Sequence, residues 1–332
     1  MKMRKMEVPQ NQTKIIFDKL AIFKSLDEKG EYKDEKIKAT IKKWEDDDVT
    51  SNMFILKIDG DCPFLGVVNG MFEREGFGVN TYANGDKYFG YFSEDERNKH
   101  GIYSYKPKYD NNYIISEYYY GLWKDNYKNE NGIYLWLKEN KNIKPFSDFE
   151  NADFTAYVGN IEQDVFDKGT LLIKKRDNYY VYHGKFNEEG KKQGDLCFFY
   201  YSKKELLLYG CFDNDIFISG IIATFDDEGN IIKLCKYNQG QIIDRNDINQ
   251  LEIDIVEKIL FNFRNVIMSK DYFGDLYKEF AQVINFRDKN MNNLEILNSD
   301  KYIDIMNVAV GYNKITIFDD IVKYVENDND FV

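Results

Sequence analysis

The chain has 332 residues, a formal net charge of −12, 26 Tyr, 25 Phe and only 4 Pro and 2 His. That length can bury a substantial core, as one large domain or two to three ordinary ones, while the acidity disfavours binding to a nucleic-acid backbone or to anionic lipid. No stretch of about 18 uninterrupted apolar residues is present to form a spanning helix, and the start, MKMRKMEVPQNQTK, lacks the apolar region of a secretory signal.

Residues 14–26 (KIIFDKLAIFKSL) fit a short helix or an edge strand, because Ile15-Ile16 and Ala21-Ile22-Phe23 match neither period cleanly. Residues 31–48 predict a helix, with Ile37, Ile41 and Trp44 on one face and Asp46-Asp47-Asp48 closing it. Residues 53–58 predict a strand. Residues 76–92, GFGVNTYANGDKYFGYF, then predict a hairpin. Its Asn84-Gly85 pair suits a type I′ turn, which needs positive φ at both central positions. Gly90 lies in the middle of the second strand, and a glycine there marks the close approach of another group.

The Gly90 arrangement recurs, which points to a repeat array. A large residue stands two before the anchor (Tyr88), another two after (Phe92), and a second glycine follows (Gly101). The same holds at Gly66 (Phe64, Val68, Gly76), Gly121 (Tyr119, Trp123, Gly132) and Gly159 (Tyr157, Ile161, Gly169). It holds again at Gly184 (Tyr182, Phe186, Gly194) and Gly210 (Leu208, Phe212, Gly220). In all six, the second glycine lies ten or eleven residues after the first. Another alternating strand follows it: Tyr103 and Tyr105, Tyr134 and Trp136, Leu171 and Ile173, Leu196 and Phe198. Side chains at i and i+2 share a face of a strand, so each glycine leaves a bare spot in which an aromatic ring from the neighbouring hairpin can lie flat.

These units resemble MORN repeats (membrane occupation and recognition nexus), whose pattern is an aromatic-x-Gly-x-aromatic strand, a glycine, a second aromatic strand and an Asn-Gly-type turn. The resemblance spans residues 64 to about 240, is closest at 76–92 and is degenerate in the last two hairpins. It implies a mainly β fold, an irregular single-layer array of about six MORN β-hairpins forming an elongated twisted ribbon. Twelve strands at about 4.8 Å spacing would extend roughly 55 to 60 Å. The third glycine of the pattern survives only as Gly78, and the inserted residues 106–117 and 137–155 are expected to project as loops. Asp226 to Asn230 reads as one more turn, followed by a strand over 231–237.

The expected organisation is thus an extension with short helices (1–59), the hairpin array (60–240) and a helical segment (241–332). Asp247 with Gln250 resembles a capping box. Leu251, Ile255, Ile259, Phe263 and Ile267 then line one side of a helix. Tyr272, Leu276, Tyr277, Phe280, Val283 and Ile284 suggest a second, and residues 291–310 and 316–326 could add two more. Such helices would cap the open end of the array by covering its edge strand, or one of them would dock into a partner.

No reaction constellation is legible. His100 precedes Gly101 as a structural hairpin residue, and His183 is expected exposed, on the side of its strand opposite the aromatics. Cys62, Cys197, Cys211 and Cys235 lack CxxC spacing and histidine neighbours, and read as small buried residues. Gly76-Phe77-Gly78 is followed by strand rather than helix, so it is no phosphate loop. The acidic runs at Asp46 and Asp226 lack EF-hand spacing. MORN arrays occur fused to lipid kinase or methyltransferase domains, but the C-terminal segment is too short and too poor in motifs for either. The expectation is therefore a non-enzyme with no cofactor and no metal.

The aromatic face is either the core of the array or a groove. In the second reading Tyr88, Phe92, Tyr119, Trp123 and Trp136 accept an extended or helical segment of another protein, since Tyr and Trp bury large areas at little entropic cost. Self-association through an edge strand or this face is an additional option. The resemblance, with a residue usage typical of an AT-rich unicellular eukaryote, implies a scaffold or adaptor in the ciliary axoneme (radial spoke or related) or the cortical cytoskeleton. A phosphoinositide-binding membrane tether would want a basic face. Residues 60–240 instead net −6, with small patches at Lys174-Lys175-Arg176 and Lys191-Lys192. An accessory subunit of an organellar membrane complex, as in mitochondria, differs only in location.

Overall fold

The computed structural model describes residues 31–33, 38–43, 54–60, 62–143, 146–148, 151–226 and 230–243, with residues 248, 250, 253–254, 256–258, 277–278, 281–282, 284–285 and 288–289. It is mainly β. The strands are β1 (Glu31–Lys33), β2 (Lys38–Lys43), β3 (Phe54–Asp59), β4 (Phe64–Val68), β5 (Arg74–Thr81) and β6 (Lys87–Ser93). Next come β7 (Glu96–Ser104), β8 (Lys108–Asp110), β9 (Tyr113–Lys124), β10 (Tyr127–Asn140), β11 (Asp153–Glu162) and β12 (Val165–Lys175). The last are β13 (Asn178–Phe186), β14 (Lys192–Tyr201), β15 (Leu206–Asp213), β16 (Ile216–Phe225), β17 (Ile231–Asn238) and β18 (Gln241–Ile243).

Residue pairing runs antiparallel in chain order from β3 to β18, a meander in one open sheet, with the β1–β2 hairpin joined at the β3 edge. The single departure is β8, which pairs with β9 on the side where β7 also pairs. The expected helix over 31–48 is corrected here. Its described residues are strand, and Ile41 pairs with Leu56 across β2–β3. Lys38-Ala39-Thr40-Ile41-Lys42 alternates as well as it winds, and a waiting edge strand decides between the two periods. The sheet therefore begins before residue 60 and has more strands than the twelve expected. Residues 14–26 lie outside the described residues.

The insertions are corrected in part. Residues 106–117 supply β8 and the start of β9, so most of that insertion lengthens the sheet, whereas residues 137–155 supply only the end of β10 and the start of β11, and the described residues between Asn140 and Asp153 lie outside the strands. Tyr113, Ile114 and Ile115 are strand formers and pair with Asn140, Glu139 and Lys138.

A line of glycines crosses the strands. Gly66, Gly78, Gly90, Gly101, Gly121, Gly132, Gly159, Gly169 and Gly184 pair each with the next. Cys197 occupies the row on β14, and Gly210 and Gly220 continue it. Two members of the expected pattern are thereby reassigned. Gly76 and Gly194, at φ +90° and +102°, are bulge residues on β5 and β14, whereas Gly78 and Cys197 hold the places that Gly101 and Gly132 hold elsewhere. The cause is loop length. Glu94-Asp95, Asp125-Asn126, Gln163-Asp164 and Asn214-Asp215 are two-residue turns with positive φ at both positions, the geometry of type I′. The β4–β5 and β13–β14 loops are longer and delay the second row residue. Asn84-Gly85 is not type I′: only Gly85 has positive φ (+87°), and the Tyr82 N–H donates to the Asp86 carbonyl across a three-residue loop.

The two faces carry separate cores. One collects Phe77, Phe89, Ile102, Leu135, Phe154, Val181 and Phe198; the other holds the Tyr, Trp and Gly ranks. Described residues from 250 to 289 are helical, and Val256, Tyr277 and Ile284 are buried in the first core. Tyr277 contacts Glu139, on β10, and Phe146 on this face. Leu251, Ile255, Ile259, Phe263, Ile267, Asp247, Tyr272, Leu276, Phe280 and Val283 lie outside the described residues, as do 291–310, 316–326 and the tip of the turn after Asp226.

Candidate functional site

The candidate site is the aromatic–glycine face. Next to the glycine line runs a rank of large side chains: Tyr88, Tyr103, Tyr119, Tyr134 and Tyr157 pair in succession from β6 to β11. They adopt two postures. Tyr88, Tyr119, Tyr157 and Tyr182 lie along their own strand over the glycine two residues on. Each donates its hydroxyl to the carbonyl three residues on, of Tyr91 (2.9 Å), Leu122 (2.8 Å), Asn160 (2.5 Å) and Lys185 (2.7 Å). Tyr103 and Tyr134, on the alternate strands, donate instead to the carboxylates of Asp86 (2.8 Å) and Glu117. Burial raises the pKa of Tyr88, Tyr103, Tyr134, Tyr157 and Tyr182 far above the usual phenol range.

This posture explains the glycines. A Cβ on Gly101 would lie 2.3 Å from the Tyr88 hydroxyl oxygen, and one on Gly132 would lie 2.5 Å from Cε2 of Tyr119. No real side chain fits there. On β14 the row holds Cys197, whose Sγ accepts from the Tyr182 hydroxyl at 3.3 Å.

A second row, absent from the expectations, fastens each unit to the next. Arg74 pairs with Asp95, Lys128 with Asp164 and Lys192 with Asp215, each at 2.9 Å. In every case the same aspartate also accepts the backbone N–H of the basic residue and returns its own N–H to that residue's carbonyl. Arg97 meets Asn126 instead: its N–H donates to Asn126 Oδ1 and its Nη2 to the Asn126 carbonyl. These cations lie over rings, Arg97 4.5 Å from the Trp123 centroid and Arg74 4.6 Å from Phe92. Lys128 is fully buried among Trp123, Tyr134, Tyr119 and Tyr105. Cation–π attraction strengthens when the charge is desolvated. A signal did exist in the chain: a basic residue or Phe (Phe166, Phe217) stands seven or eight positions after every anchor glycine.

The groove residues are corrected by burial. Tyr88, Phe92, Tyr119 and Trp123 are 0 to 3% exposed, inside the second core. Trp123 packs edge-on against Tyr88 (5.5 Å) and Tyr119 (5.1 Å) and donates to the Gly101 carbonyl. Only Trp136 is half-buried, stacked on Tyr134 at 4.2 Å. The rings cover one another, so from β5 to β11 this face is closed. Further along it opens. Leu171, Ile173, Tyr180, Phe199 and Tyr201 are only half-buried, and Tyr180 stacks on Tyr201 at 4.5 Å with an interplanar angle of 8°.

On the opposite face, His183 is buried rather than exposed, with Nδ1 2.8 Å from the Thr170 hydroxyl and its ring stacked on Phe198. The alternate face of the strand is itself a core, and burial beside Lys168 pushes the His183 pKa down to about 3. His100 is half-buried, and burial lowers its pKa. Cys197 and Cys235 are buried, and Cys62 and Cys211 are half-buried. Tyr277 donates to Oε1 of Glu139, which also accepts the Phe146 N–H at 2.9 Å. Burial raises the Glu139 pKa, and Asp148 raises it further against those two bonds. Glu139 and Asp148, with Tyr113, Asn140, Ile143, Asn151, Ala152, Arg176 and Asp177, line a cleft of about 510 Å³. Among the described residues, no three His, Cys, Asp or Glu side chains converge as a metal site. No protein-family model matches the chain, and no curated protein matches it.

Proposed function

We propose that the chain is a non-enzymatic scaffold or adaptor built on a MORN-type array of six hairpin units, a rigid spacer holding protein partners within a cytoskeletal assembly. The observation that carries this reading is the unit-to-unit fastening. Arg74, Lys128 and Lys192 each grip the turn of the following hairpin, and the tyrosine rank runs unbroken from Tyr88 to Tyr157. Such construction holds fixed distances along a sheet. The ciliary axoneme, with its radial spokes, is the proposed setting, on the resemblance to MORN proteins of unicellular eukaryotes.

The membrane-tether reading loses part of its basis, because Lys174 is 1% exposed and donates to the Ala152 carbonyl, leaving only Lys175 and Arg176 at that patch. Affinity purification of the tagged full chain from its native cell, followed by mass spectrometry, tests the proposal. Stoichiometric recovery of axonemal or cortical proteins is expected. Recovery of mitochondrial proteins moves the location to an organellar complex, and recovery of no protein partner overturns the scaffold reading.

A further inference from the structure

The aromatic–glycine face changes chemistry at β12. From β6 to β11 the rank beside the glycines is tyrosine, packed with the buried cations; beyond it the same register positions are Leu171, Tyr182, Phe199 and Leu208. The next rank out is Ile173, Tyr180 and Tyr201. Apart from Tyr182, all of these keep part of their surface exposed. They form a contiguous apolar block centred on the Tyr180–Tyr201 stack, with Phe199 at 6.4 Å from Tyr180. Lys175, at the end of β12, and Lys203, in the short 3-10 turn Ser202–Lys204, are exposed, and both act electrostatically on the Tyr180 hydroxyl. Of the neighbouring carboxylates, Glu205 is engaged by the Tyr200 hydroxyl of the opposite face, and Asp177 sits in the β12–β13 turn.

A basic rim around half-open rings is a local exception in a chain of net charge −12. We propose that this block docks an acidic protein segment that also carries aromatic or aliphatic side chains. The apolar groups lie across Tyr180, Phe199 and Tyr201, and the carboxylates meet Lys175 and Lys203. Rigid stacked tyrosines offer contact area with little rotamer entropy to lose, and the lysines select against basic segments by like-charge repulsion. This deepens the scaffold reading and rests on it, by naming the chemistry of one partner.

The test titrates a fluorescent octapeptide, EDFDEFLE, against the full chain, with the charge-reversed KRFKKFLK as control. The expected result is saturable binding of the acidic peptide alone. Affinity should fall at least fivefold from 50 to 300 mM salt, and at least tenfold in both Lys175→Glu/Lys203→Glu and Tyr180→Ala/Tyr201→Ala. Circular dichroism checks that these surface variants fold; the single changes Lys203→Glu and Tyr201→Ala serve if a double variant does not. Equal affinity for both peptides, or equal affinity in the variants, overturns the proposal. So does lysine-dependent binding to phosphatidylserine vesicles without binding to the peptide. In the purification above, the charge-reversed variant separates the two claims. Partners retained unchanged sink the docking block and leave the scaffold standing, whereas no partner with the unaltered chain sinks the scaffold.

Discussion

Asn126→Asp is the sharpest perturbation of the buried cation row. Arg97 is 3% exposed, and its Nε and Nη1 have no hydrogen-bond partner, whereas Arg74 finds the Asp95 carboxylate 2.9 Å from its Nε. An aspartate at 126 would keep the bond now made by Asn126 Oδ1 to the Arg97 N–H and would place a charged acceptor beside the guanidinium. A hydrogen bond to a charged group contributes about 1.5 to 3 kcal/mol, and desolvating the new carboxylate offsets part of that. The backbone adds little, since Asp95, Asp164 and Asp215 already sit at the equivalent turn position with φ of 68° to 71°. The net expectation is a gain of about 1 to 2 kcal/mol, which at roughly 2 to 4 °C per kcal/mol raises the melting temperature by about 2 to 8 °C. Urea denaturation of the full chain measures it, alone and with Arg97→Met. The gain should vanish or reverse when Arg97 is absent. A neutral or destabilising Asn126→Asp, or the same gain without Arg97, would refute the claim that a buried cation there lacks its counter-charge.

The row of glycines makes a steric prediction: Gly101→Ala should cost about 3 kcal/mol by overpacking against Tyr88, yet little further when Tyr88→Ala has already removed the ring. Additive costs in that denaturation cycle would contradict the packing. Glu139 has a raised pKa in the fold, so its burial favours folding below the ordinary carboxylate range and opposes it as pH rises. Glu139→Gln should therefore raise stability at pH 7 by about 1 kcal/mol and match the unaltered chain near pH 4; a loss at pH 7 would show that the Tyr277 bond needs the charge. His183 has the opposite sign. With its pKa held near 3, stability should fall as pH drops below the unfolded value of 6.5, by roughly 3 kcal/mol at pH 4. Comparing the pH slope with that of His183→Gln isolates it, and equal slopes would count against a neutral buried imidazole.

What could be read in the chain followed from contacts near in sequence. Tyr88, Gly90 and Phe92 share a face of one strand, and the bare face over Gly90 is implied by their i, i+2 spacing. The partner of each second glycine was harder to read, because a three-residue loop at Gly70-Met71-Phe72 shifts the row from Gly76 to Gly78 while a two-residue turn leaves it at Gly101. Lys128 and Asp164 are distant in the chain and look like solvated surface charges, so their meeting depends on the β10–β11 pairing. His183 misled because the second face of the sheet is covered, by Phe198 beside it and elsewhere by residues such as Val256. Tyr119 and Trp123 had the right composition for an interface, but composition does not say whether a ring faces its neighbour or solvent. Their burial moved the accessible part of the face to Tyr180 and Tyr201.

The central claim is that cross-strand glycines, tyrosines and cation–turn pairs make the hairpins one rigid body. Native-state hydrogen exchange at increasing denaturant tests it most directly, through the amides of Gly90, Gly121, Gly159 and Gly184. If the units are fastened as described, these amides open together, with one free energy and one denaturant dependence. Separate opening of individual hairpins, each with its own smaller free energy, would contradict it.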